Sequence, residues 1–161
     1  TLANFPELTK LPKRQRMKLA EELWFSGVDD SLPAHPVHKK ILDERWTAYK
    51  SGKVKRITLP ELGDVHPVGK SRPVEFLEPV APDLNYARDF YDSWLTGGAD
   101  TFSIRFREAV AWIEWNPEQF PKKHRFFRRA IIRRTYFGIY FAIEPTVTTV
   151  LAFWICGMIL E

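Results

Sequence analysis

The order of apolar periodicities along this chain predicts an α+β fold: a two-helix hairpin packed on a mainly antiparallel β-sheet, preceded by a helical segment that wraps it. Three observations carry that expectation. From residue 74 the pattern runs strand, helix, helix and then three strands, the order of an antiparallel sheet with a helical layer on one face. Residues 1–70 hold two amphipathic helices and an irregular arm, too little to build a core alone. The 161 residues are 45% hydrophobic and 14% aromatic, so the remainder has the material for a sizeable core.

The first helix is "LPKRQRMKLAEELWFSG" at 11–27, with Pro12 in its first turn and Gly27 just past its end. Met17, Ala20, Leu23 and Trp24 recur there at helical spacing. After the two prolines of "SLPAHP", the stretch 37–52 reads as a second helix ended by Gly52. Val37, Ile41, Leu42, Trp46 and Tyr49 share its apolar face. Residues 53–73, with Pro and Gly at intervals, read as an arm or linker. "VEFLEPV" at 74–80 is a short strand. Residues 82–98 and 100–115 are helices joined across Gly97-Gly98, and the second buries Phe102, Phe106, Ala109, Val110 and Ile113. Strands are expected at 126–134, 137–143 and 147–156. In the middle one Phe137, Ile139, Phe141 and Ile143 alternate onto one face.

Charge is unevenly placed. The formal net charge is +4. Residues 70–118 carry 5 basic and 9 acidic side chains, whereas 122–134 hold Lys122, Lys123, Arg125, Arg128, Arg129, Arg133 and Arg134 with no acid. Such a patch guides association with nucleic acid or an acidic protein. The single cysteine, Cys156, rules out an intramolecular disulfide and reads as a buried apolar residue. No clustered His and Cys suggest a metal, and no cofactor motif occurs, so neither is expected. The longest apolar stretch, "TVLAFWICGMIL" at 149–160, is too short to span a bilayer and reads as a buried strand. Nothing at the start reads as a signal peptide, and the cytoplasm is the expected place.

The residues of 73–155 carry a resemblance. "VEFLEPVAPDLNYARDFYDSW", the Asn116-Pro117-x-x-Phe120-Pro121 loop, the arginine strand through Arg128-Arg129 to Arg133-Arg134, and Phe137-Gly138-Ile139-Tyr140 together resemble the RelE/ParE toxin superfamily. Residues 8–62, "LPKRQRMKLAEELWFSGVDDSLP" and "KKILDERWTAYKSGKVKRITLPEL" among them, are similar to the small antitoxins of addiction modules. The two resemblances divide the chain into an antitoxin-like segment with its arm, 1–70, and a toxin-like domain, 71–161.

The resemblance implies a toxin–antitoxin module on one chain. Antitoxins of this kind lay helices across their toxin. The expected interface is Leu19, Leu23, Trp24, Ile41, Leu42, Trp46 and Tyr49, meeting 73–161 within one chain or in a swapped dimer. ParE-like toxins block DNA gyrase with a binding surface; RelE-like toxins cut mRNA on the ribosome and need a base, an acid and cations around the phosphate. The seven Lys and Arg of 122–134 supply a target-binding surface. His124 and Tyr140 are the acid–base candidates, and each has a plainer reading, as a solvated loop histidine and as sheet packing. RelE-like enzymes carry Tyr or His near the C-terminus, and Cys156 to Glu161 contain neither, which favours the ParE-like reading. Operator binding is the third reading, with only Lys53, Lys55 and Arg56 in the arm to serve it.

Overall fold

The structure, a computed structural model, describes residues 4–27, 33–62 and 72–156, with the backbone alone for 21 and 24–27. It falls into two compact units, Thr1–Asp30 and Ser31–Glu161. This division comes 40 residues earlier than the one drawn from resemblance, so the second helix and the start of the arm belong to the unit that holds the sheet.

The first unit contains α1 (Pro6–Lys10), which the periodicity did not suggest, and α2 (Lys13–Gly27). The Pro12 carbonyl accepts the first bonds of α2, from the N–H groups of Gln15 and Arg16 at 2.9 and 3.1 Å. Leu19 is half-buried, but Leu23 is 60% exposed. The burial expected of Leu23 is therefore not found; a unit of about 30 residues has no core to receive it. The Trp24 side chain lies outside the described residues.

The second unit is an α+β fold. Its helices are α3 (Pro36–Lys50), α4 (Val80–Trp94) and α5 (Gly98–Trp115). Its strands are β1 (Arg56–Ile57), β2 (Val74–Leu77), β3 (Lys122–His124), β4 (Phe127–Ile131), β5 (Phe137–Ile143) and β6 (Thr148–Ile155), in the sheet order β1-β2-β6-β5-β4-β3. Only β2–β6 is a parallel pair among these neighbours. The start of the arm supplies β1 as an edge strand; 63–71 lie outside the described residues. The short edge strands β1 and β3 carry too few residues for alternation to reveal them.

The α4–α5 hairpin forms as its glycines require. Gly97 takes a φ of +76°, and a Cβ on Gly98 would lie 2.2 Å from the Tyr91 carbonyl oxygen. Val80, Leu84 and Ala87 of α4 and Phe102, Phe106, Val110 and Ile113 of α5 are buried. Phe102 and Phe106 meet Phe153 at 5.6 Å between centroids, and Phe153 stacks on Phe137 at 4.9 Å. Glu114 of α5 is half-buried; burial pushes its carboxyl upward and a hydrogen bond from the Val74 backbone opposes this. Cys156 is buried as expected.

Burial along β6 has no alternation: all eight residues are buried, as are six of the seven in β5. A strand covered on both faces needs a layer on each. The hairpin supplies one and α3 the other.

Candidate functional site

Helix α3 starts and stops by local chemistry. His35 accepts the Val37 N–H at 3.3 Å, Pro36 opens the first turn, and Gly52, at a φ of +77°, closes a Schellman motif with Lys53 N–H on the Ala48 carbonyl at 2.9 Å. Successive strand residues point to opposite faces. Phe153 faces the hairpin, so Trp154 faces α3, and the His38 ring stacks on it at 4.6 Å. The same face presents Tyr140, 5.4 Å from Trp154 and 6.0 Å from His38.

The docked side of α3 is His38, Leu42, Arg45, Trp46 and Tyr49. Leu42 is fully buried and Ile41 half-buried, while Val37, expected on this face, is 46% exposed. Trp46 packs against Phe126, Phe127 and Tyr49 at 5.2–5.9 Å. Tyr49 and Lys50 both donate to Glu144, at 3.2 and 2.5 Å. Glu144 is raised by burial, but hydrogen bonds from Lys50, Thr149 and Tyr49 with the Lys50 charge bring its carboxyl below the usual range. His38 is 5% exposed. Burial, then the charges of His35 and Arg129, hold its imidazole below the ordinary value. Among the docked residues, His38 and Arg45 were not anticipated: a search for apolar periodicity passes over polar side chains.

Arg45 makes three polar contacts across the docked face. Its guanidinium straddles the Asp83 carboxylate at 2.6 and 3.2 Å and donates to the Leu151 carbonyl at 2.9 Å. Burial pushes Asp83 upward, and the hydrogen bonds and charge of Arg45, with the Phe153 N–H, oppose that rise.

The basic segment does not form one surface. The strand expected over 126–134 is only Phe127–Ile131, because the N–H of Thr135 turns back to the Ile132 carbonyl at 3.2 Å. Arg133 and Arg134 therefore sit exposed in the turn into β5, Arg134 in left-handed backbone with φ +56°. Arg128 donates to the Glu118 and Phe120 carbonyls at 3.1 and 2.5 Å, and so anchors the Asn-Pro loop. Its neighbour Arg129 is on the other face, buried, 3.4 Å from the Tyr140 hydroxyl that accepts its N–H. Lys122 is exposed and Lys123 buried. Arg125, in the β3–β4 turn, reaches Asp43 of α3 at 3.3 Å. His124 is not a solvated loop residue: it lies on β3 with Nε2 2.9 Å from the other Asp43 oxygen. Tyr140 is 1% exposed, as its packing reading expects. Thus α3 touches His124, Arg125 and Tyr140, whereas Arg128 is turned to the loop.

Residues 10–62 match the model of the family described as "Putative addiction module component". This segment, which includes α2, α3 and β1, is similar to components of addiction modules and agrees with the antitoxin resemblance. The match ends at Leu62, so the RelE/ParE resemblance of 73–155 stands on its residues alone. No curated protein matches the chain. Among the described residues, no helix is long and apolar enough to cross a membrane, and no group of His, Cys, Asp and Glu could hold a metal.

Proposed function

We propose that the chain is a toxin–antitoxin pair in one polypeptide, a ParE-like binding toxin in 71–161 neutralised by the tethered segment 1–70. The observation that carries this is the position of α3. It belongs to the addiction-module segment, and it occupies the sheet face opposite the hairpin, over Arg129, Tyr140 and Trp154. A helix seated in this way excludes any other macromolecule from that face. A tether raises its effective concentration to about the millimolar range, so even a weak inhibitor stays seated. A binding role for the face follows from its make-up, which is aromatic and cationic, with both acid–base candidates engaged by α3.

The test is growth of cells expressing the full chain, the 71–161 domain, and a full chain opened by Asp43→Lys with Trp46→Glu. Inhibition by the two opened forms alone, with gyrase supercoiling blocked and mRNA intact, is the expected result. Cleavage of mRNA that is lost on changing His124 or Tyr140 would replace the gyrase target by a RelE-like nuclease. Normal growth with a folded, opened chain would end the toxin reading.

A further inference from the structure

Strand β2 pairs with β6 only through residues 148–150. Beyond Val150 no strand among the described residues pairs with that edge of β6, and bare backbone groups there need partners. Two side chains supply them. Asp83, in the first turn of α4, accepts the Phe153 N–H at 3.3 Å. Arg45 donates to the Leu151 carbonyl at 2.9 Å. The guanidinium meets both Asp83 oxygens and stands 5.4 Å from the Trp154 ring centroid. The groups that Arg45 meets belong to residues 83, 151 and 154: a carboxylate that takes two N–H groups, a carbonyl that takes a third, and an indole beside the cation. The guanidinium alone comes from α3.

This arrangement is specific for one chemistry. A planar fork satisfies the carboxylate and carbonyl together with parallel bonds, whereas an ammonium is a point charge without that fork. The indole adds attraction to a weakly hydrated cation. The Arg45 and Asp83 side chains are 18% and 15% exposed, so water replaces few of these contacts.

We propose that the β6 edge notch is a guanidinium-recognition site of the sheet and hairpin, filled here by Arg45, whose ligand class is an arginine side chain of a protein. If α3 is an inhibitor, as under the proposed function, then a partner taking its place must bring an arginine to Asp83, and Arg45 holds that position in its absence. The notch itself does not depend on that reading.

The experiment uses the full chain carrying Arg45→Ala and methylguanidinium as the probe, at constant ionic strength. Its thermal midpoint should rise saturably with methylguanidinium. Affinity should exceed that for methylammonium by about tenfold, the worth of one charge-assisted hydrogen bond. Adding Asp83→Asn should abolish the response. Equal responses to the two cations, or none, would overturn the proposal. If Arg45→Ala does not fold, Arg45→Lys keeps the question open to measurement: a midpoint well below the parent's supports a fork-specific notch, and a parental midpoint refutes it. Both readouts are independent of growth, so a toxin reading that fails leaves this result standing.

Discussion

Helices α2 and α3 are each 15 residues long, both lie in the segment that matches the addiction-module family model, and both show an apolar stripe in the sequence. They end in different circumstances. Leu23 of α2 is 60% exposed in a small unit, whereas Leu42 of α3 is fully buried on a sheet. Polar residues beside the stripe of α3 are matched as well. On α3, Asp43, Arg45, Tyr49 and Lys50 each find an opposite group on the sheet or hairpin, and His38 stacks on Trp154. An apolar stripe makes a helix able to dock; the matched polar groups decide where it does so.

The largest blow to this contrast comes from Arg45→Ala. It leaves Asp83 as a buried carboxylate without its cation and should cost about 3–5 kcal/mol in urea unfolding. Leu42→Ala should cost about 2–5 kcal/mol, from lost transfer energy and the cavity left behind. Leu23→Ala should stay within about 0.5 kcal/mol, as for an exposed side chain. Equal losses at Leu42 and Leu23 would remove the distinction between the two helices.

Acid should loosen α3 by a smaller amount. His38, facing His35 and Arg129, titrates below its ordinary value of 6.5 in the fold. The unfolded chain then binds the proton more readily, so this share of stability is complete above about pH 6.5 and declines as pH falls below it. Glu144 titrates below its ordinary 4.5, and its share is lost only at lower pH. Melting between pH 7.5 and 5.5 should therefore fall in the parent and flatten in His38→Gln. A decline of equal slope in both would place the titrating group elsewhere.

Arg128→Ala sharpens the reading of the basic segment. Two carbonyls of the Asn-Pro loop lose their donor, and the cost should be about 1–2 kcal/mol. Arg133→Ala, in an exposed turn, should be near neutral by the same unfolding assay. Equal effects would mean that the loop does not depend on Arg128.

By itself the sequence determined the order of the longer elements, the α4–α5 hairpin at Gly97-Gly98, the course of β5 and the end of α3 at Gly52. Each rests on neighbours within a few residues: a period, a glycine that tolerates positive φ or close approach, a proline in a first turn. Tertiary structure alone decided the rest. The parallel pairing of β2 with β6 joins residues more than 70 apart, and Arg45 meets Asp83 across 38 residues and Leu151 across 106. It also separated Arg128 from Arg129, identical side by side in the chain, sending one to a loop carbonyl and the other beneath α3. A local pattern records how often a side chain returns to a face; which group waits on that face is a property of chain segments that the pattern never compares.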